Sequence, residues 1–233
     1  MPNWCYNYLS VEGPQDEVAK LKAQLNKPFT KVHEQWNMET GKMEMKEYSY
    51  SNPVFAFHNI YNHKQDNVSD EIYNAQADHS APLVEQLMFA GNNWYDWNVR
   101  NWGTKWDVGV GDEDKYPETE LFDEEDTSLN YKFNTAWSPP IAGIEKLVEQ
   151  YPNLNFNLSF EEETGWGGEI EYEEGVEVMN SQYGWKCREC DNEEEDTPYC
   201  EECDFDTCPS CGYNEADEAC EQHREGHNAH LLA

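Results

Sequence analysis

The chain has 233 residues, with 48 acidic against 15 basic side chains and a net charge of −33, and 14% of it is aromatic, including nine tryptophans. That length allows a medium domain with a small appendage. The charge repels nucleic-acid backbone and anionic membrane, so any macromolecular partner is expected to be basic and direct duplex DNA binding is not expected. The aromatic content is far from that of an acidic disordered chain, and no apolar run reaches the ~18 residues that cross a bilayer.

In chain order, residues 3–12 alternate Cys5, Leu9 and Val11 against an aromatic face, which predicts a strand. Gly13-Pro14 breaks it, and Val18, Leu21 and Leu25 then recur at helical spacing until Lys27-Pro28. Residues 29–52 are polar and mixed. Val54 to Ile60 is read as a strand, Asn62 to Ser80 as a loop with short helical turns, and a helix is expected from Ser80-Ala81-Pro82 through Leu83, Leu87 and Met88. Trp94, Trp97, Trp102 and Trp106 follow, either as core anchors or as a binding surface, with core packing favoured because an indole N–H can bond neighbouring polar groups. Residues 111–128 read as an acidic loop. Leu129, Tyr131, Phe133 and Thr135 then alternate as a strand. Ser138-Pro139-Pro140 opens a helix with Ile141, Ile144, Leu147 and Val148 on one stripe. Leu154, Phe156, Leu158 and Phe160 give a further strand. Ile170 and Tyr172 alternate with Glu169, Glu171 and Glu173 in another, whose solvent face is a ladder of glutamates. Residues 174–186 read as a linker.

The opening strand and helix, taken with the later strand-helix-strand-strand order, predict an α+β fold. It is a ferredoxin-like split βαβ sheet with helices on one face over residues 1–178. Cys5, inside an alternating strand, reads as a small buried hydrophobe rather than a nucleophile. His58, His63 and His79 are given no role.

The C-terminal stretch, residues 185–233, is expected to be a second module. Six of the eight cysteines form three Cys-x-x-Cys pairs, Cys187/Cys190, Cys200/Cys203 and Cys208/Cys211, with Cys220, His223, His227 and His230 following. Sulfurs two residues apart can turn to meet one metal at about 2.3 Å, so each pair supplies half a tetrahedral site, and the set suffices for two zinc ions. The chain opens Met1-Pro2-Asn3-Trp4-Cys5 without an apolar secretory segment, which favours metal over disulfides in a reducing cytosol. Four protein ligands per ion leave no place for an activated water, so both zincs are expected to be structural.

Met1-Pro-Asn-Trp-Cys-Tyr-Asn7, Asn101-Trp-Gly-Thr-Lys-Trp106 and Thr135-Ala-Trp-Ser-Pro-Pro140 resemble the recurring motifs of the YubB-like ferredoxin-like proteins of bacteriophages and conjugative plasmids. That resemblance implies a ferredoxin-like fold over roughly residues 1–178 and a mobile-element origin, and it carries no catalytic residues. The tail, Tyr199-Cys-Glu-Glu-Cys-Asp-Phe-Asp-Thr-Cys-Pro-Ser-Cys211 with Gly226-His-Asn-Ala-His230, resembles a ZZ-type zinc finger. It implies Cys187, Cys190, Cys208 and Cys211 at one metal and Cys200, Cys203, His227 and His230 at the other. The second and third pairs lie one residue closer together than in that family. The alternative is two sequential ribbons, the second using Cys208, Cys211, Cys220 and His223.

No phosphate-binding glycine loop, paired nucleophile and base, open metal site or small-molecule substrate is identified, so a non-enzymatic role is expected. The leading expectation is a phage or plasmid accessory protein in the bacterial cytoplasm. It would engage a basic or nucleic-acid-binding host protein through its acidic surface, as in counter-defence by nucleic-acid mimicry. The alternative is a nucleic-acid-associated regulatory zinc protein. The ZZ resemblance implies that Asp204 and Asp206 receive a basic N-terminus; otherwise the interface moves to Glu169, Glu171 and Glu173.

Overall fold

The computed structural model describes residues 3–38, 40–74, 91–112 and 119–186, with 34, 35, 43, 185 and 186 in backbone alone, together with the backbone of 193–194, 199–200 and 205–206. Strand β1 (Trp4–Glu12) buries Cys5, Asn7, Leu9 and Val11 on one face. Helix α1 (Gln15–Leu25) follows Pro14, which has the φ of −59° that proline imposes. Asp16 and Glu17 complement its positive end, and Val18, Leu21 and Leu25 are buried.

A long excursion separates α1 from the next strand of the main sheet. The polar stretch after Pro28 folds into a hairpin, β2 (Phe29–Asn37) and β3 (Lys42–Tyr50). Its open end is closed by Phe29 stacked on Tyr50 at 4.4 Å. The strand expected over 54–60 is instead a short helix, α2 (Phe57–Ile60). Its first amides are taken by the carboxylate of Asp107, fifty positions away, so the helix is set by a tertiary cap. A 3₁₀ turn at His63–Asp66 and helix α3 (Asp70–Asn74) agree with the expected helical turns. The helix expected from Ser80 lies outside the described residues, as does His79.

Helix α4 (Trp94–Trp102) is capped at its start by Asn93, whose side chain accepts from Tyr95 and Asp96 at 3.1 Å, and it ends at Gly103 in the left-handed region. The four tryptophans divide. Trp97 and Trp102 are fully buried, donating to Asp66 Oδ2 and to the Tyr61 carbonyl, each at 2.8 Å. Trp94 packs against the core from its edge and Trp106 is exposed.

Strand β4 (Thr119–Glu125) lies where the sequence predicts an acidic loop, and hairpins with β5 (Ser128–Ala136). Then come α5 (Ile141–Gln150), β6 (Asn155–Glu162), β7 (Gly167–Glu173) and β8 (Val176–Tyr183). Residues 174–186 are therefore mostly sheet: a tight turn with Glu174 and Gly175 both at positive φ leads into β8, and position 178 falls inside that strand.

The sheet runs β4-β5-β1-β6-β7-β8, every neighbour antiparallel. β5 lies between β1 and β4, which α1 and the excursion connect, and β1 lies between β5 and β6, which α5 connects. These two interlocked split βαβ units are the ferredoxin-like arrangement, extended at one edge by β7 and β8. Inward side chains of β1, β5, β6 and β7 join those of α1, α4 and α5 in one core. No helix among the described residues is long and apolar enough to cross a membrane.

Candidate functional site

The opposite face of the sheet carries the aromatic side of β1. Strand pairing puts Glu120, Lys132, Tyr8, Ser159 and Glu169 in one row across the sheet, and Asn134, Tyr6 and Glu161 in the next. Tyr6 and Tyr8 are 44% and 53% exposed. Glu12, Asp123, Glu125, Glu171 and Glu173 share this face by alternation and register. Among the described strand residues Lys132 is the single cation there, and Glu120 pairs with it at 2.6 Å. Asn157 donates to Glu169 at 2.8 Å and to Glu171 at 3.0 Å, which holds two rungs of the expected ladder in place. Register across strands distant in sequence brings these groups together, which alternation within any single strand does not reveal.

The three sequence motifs converge at one end of this sheet. Asn7 donates to Thr135 Oγ1 at 2.9 Å, the Trp137 amide to the Asn3 carbonyl at 2.9 Å, and Ser138 Oγ to the Gly103 carbonyl at 2.6 Å. Thr104 Oγ1 bonds the Ala136 carbonyl, and the rings of Trp4 and Trp106 lie 6.1 Å apart. Trp137 is held at φ 76°, unusual for so bulky a residue, by this surrounding network. Cys5 lies beneath, fully buried, and burial pushes its thiol up to about 12, so it is not a nucleophile at neutral pH.

Lys31 and Asp107 form a buried ion pair, with side chains 8% and 9% exposed. Asp107 also accepts from the amides of Phe57, His58 and Gly109 at 2.7, 3.2 and 3.2 Å. Lys31 Nζ lies over the rings of Phe29, Tyr50 and Trp102. Burial pushes the Asp107 carboxyl up, but the Lys31 ammonium outweighs it and holds the group below the usual range. His58 stacks on Phe29 at 4.3 Å and lines an open cleft of about 590 Å³ with Lys27, Tyr61 and Lys146. Amides of Gln24, Asn59 and Gln150 beside that cleft are spent tying α1, α2 and α5 together.

Burial, then the Lys31 charge, lowers His58 to about 4 against Asp107's opposing pull, so the folded ring is neutral at pH 7. An unfolded chain protonates this ring near pH 6.5, so its contribution to stability is complete above that pH and falls as pH drops toward about 4. The loss is on the order of 3 kcal/mol. Urea unfolding of His58→Phe at about pH 7 and about pH 4.5 should show less acid sensitivity than the natural chain, by the larger part of that loss. An unchanged acid slope would remove His58 as its source.

Of the sequence-predicted site residues, Glu169, Glu171 and Glu173 are placed on the open face. Cys187, Cys190, Cys203, Cys208, Cys211, Cys220, His223, His227, His230 and Asp204 lie outside the described residues, and Cys200 and Asp206 are described in backbone alone. Among the described residues no group of three or more His, Cys, Asp or Glu could hold a metal ion. Sequence reading missed Phe122, the Lys31–Asp107 pair and the His58 cleft, none of which carries a local pattern.

Residues 105–204 match the model of the ferredoxin-like domain in Api92-like protein. Over those residues, fewer than half of the chain, the sequence is similar to that ferredoxin-like domain. The matched segment contains β4 through β8 and α5, while β1, the strand between β5 and β6, comes from outside it. The crystal structure of protein api92 from Yersinia pseudotuberculosis is similar at 12% identity with a TM-score of 0.43, covering 80% of this chain and 100% of that one. No curated protein matches the sequence.

Proposed function

We propose that this protein is a non-enzymatic binding protein that engages a basic protein partner through the open face of its sheet. The supporting observation is the composition of that face: exposed tyrosines among carboxylates, with its one described lysine already paired to Glu120. Such a surface attracts and orients cations and repels phosphate. The resemblance of the three motifs to YubB-like proteins favours a phage or plasmid accessory protein acting in the bacterial cytoplasm. There an acidic sheet face could occupy a host protein's nucleic-acid site, as a counter-defence mimic does.

The zinc module belongs to the same proposal, with two structural ions held by the cysteine pairs and late histidines or by two sequential ribbons. Its support is backbone pairing: Trp185–Lys186 pairs with Glu193–Glu194 around the first Cys-x-x-Cys, and Tyr199–Cys200 with Phe205–Asp206 around the second. A hairpin bracketing two cysteines suits one half of a tetrahedral site. Asp204 and Asp206 would then be a second place for a basic N-terminus.

The second reading is nucleic-acid association. Exposed aromatics on a central strand of a four-stranded sheet are how one common RNA-binding module stacks bases, and Tyr6 and Tyr8 occupy an inner strand of the six-stranded sheet. Against it, a phosphate contact needs Lys or Arg, and the face offers carboxylates instead.

The test is retention of host proteins by the full chain and by a variant with Glu161, Glu169, Glu171 and Glu173 changed to Gln. Basic proteins should bind the natural chain at low salt, elute as salt rises, and be lost from the variant. Equal retention by both chains would remove the sheet face as the interface, and a shift of duplex DNA at about 150 mM salt would favour the second reading.

A further inference from the structure

Tyr8 stands in the middle of β1, and Phe122, 49% exposed, meets its ring edge-on at 6.4 Å and 82°. Phe122 sits at the register shift of β4 between Leu121 and Asp123. A bulge sets two residues against one on the partner strand. Here it leaves Phe122 unpaired beside Asp123, which takes the place opposite Asn130. An aromatic corner with a neighbouring carboxylate results. From Tyr8 the row continues through Ser159 to Glu169, two strand spacings or about 10 Å away, where Asn157 holds Glu169 and Glu171 in fixed positions. The floor between is the neutral Ser159, and Lys132, opposite Tyr8 on its other side, is paired with Glu120.

Resting on the basic-partner reading above, we propose that this face takes an arginine-bearing protein segment. One guanidinium stacks on Tyr8 against Phe122, and a second cationic side chain about 10 Å away meets Glu169 and Glu171. Charge complementarity selects the occupant. A planar, weakly hydrated guanidinium gains from an aromatic face and from carboxylates together, whereas a nucleobase stacked on the same ring would bring its phosphate against the carboxylates. Lysine would satisfy the carboxylates and gain less from the rings. The ordered Glu169–Asn157–Glu171 group needs little further ordering on binding.

The experiment is fluorescence anisotropy of labelled deca-arginine, deca-lysine and deca-uridylate with the full chain. Deca-arginine should bind most tightly. Tyr8→Leu, a change at a surface position that leaves the core intact, should weaken deca-arginine by about 3- to 30-fold and deca-lysine by less. Glu169→Gln with Glu171→Gln should weaken both peptides and flatten their salt dependence. If Tyr8→Leu leaves deca-arginine unchanged while the glutamine pair still weakens it, the stacking site is overturned and the basic-partner reading stands. If neither peptide binds at low salt, both fail. Tighter, Tyr8-dependent binding of deca-uridylate would overturn the site in favour of single-stranded nucleic acid.

Discussion

Asp107→Ala is expected to destabilise the sheet domain by about 3–5 kcal/mol, a large part of the stability of an ordinary domain. The substitution strands a buried ammonium and removes the acceptor from three backbone amides, those of Phe57, His58 and Gly109. Lys31→Met should cost less, because Asp107 then keeps its amide donors and the methionine still fills the space among Phe29, Tyr50 and Trp102. The double variant should recover part of the Asp107→Ala loss, since the stranded charge is gone. Because the Asp107 carboxyl is held below its ordinary range, the pair's stabilisation is present above about pH 4 and is lost as pH falls through the lower folded value. Chemical denaturation of the three variants at neutral pH decides the matter; strictly additive losses would show that the two side chains do not act as a pair.

That pair also shows why the excursion between α1 and β4 was hard to read. A cap reaching α2 from fifty positions away leaves no trace at Val54 to Ile60, where apolar residues suggest a strand. β5, α5 and β6 were legible because each buries one face cleanly: Leu129, Tyr131 and Phe133, then Ile144, Leu147 and Val148, then Phe156, Leu158 and Phe160. β4 and β8 are sheet edges with charged or polar residues on both sides, such as Leu121-Phe-Asp-Glu-Glu125, so neither presents the alternation that marks a half-buried strand. The hairpin of β2 and β3 is tied down chiefly at one end, by Phe29 and Tyr50, and carries no continuous apolar stripe.

The candidate face was legible in pieces. Alternation alone placed Tyr6 and Tyr8 opposite Cys5 and Leu9, and set Glu169, Glu171 and Glu173 against Ile170 and Tyr172. Their juxtaposition depends on β1 pairing with β6 and β6 with β7, which joins opposite ends of the sheet domain's chain. Phe122 joins them through a bulge that no residue pattern announces. The acidic face consequently gains meaning from topology: the split βαβ order places the aromatic strand in the middle of the sheet and the glutamate strand two places away.

Elemental analysis is expected to return two zinc ions per chain, retained through dialysis, if the proposed ligand set of the C-terminal module holds. Structural zinc contributes about 10–16 kcal/mol of apparent binding energy at pH 7 in zinc-finger peptides, more than any single packing change in the sheet. Thiolates must protonate to release it, so acidification should empty the module and raising the pH should refill it. Cys187→Ala or Cys208→Ala should lose zinc while the main thermal transition persists, because among the described residues the core runs from Cys5 to Tyr172, upstream of the cysteine pairs. Loss of that transition would instead make the tail an integral part of the sheet domain. The pairing is separable by the late ligands. His227→Ala or His230→Ala should cost one zinc in the interleaved, ZZ-like arrangement, and Cys220→Ala or His223→Ala should cost one in two sequential ribbons. One zinc or none in the natural chain would overturn the two-site reading. The sheet face would then carry the proposed binding with Asp204 and Asp206 set aside, since without the flanking zinc ligands the pair would lack the ordering that favours capture of a cation.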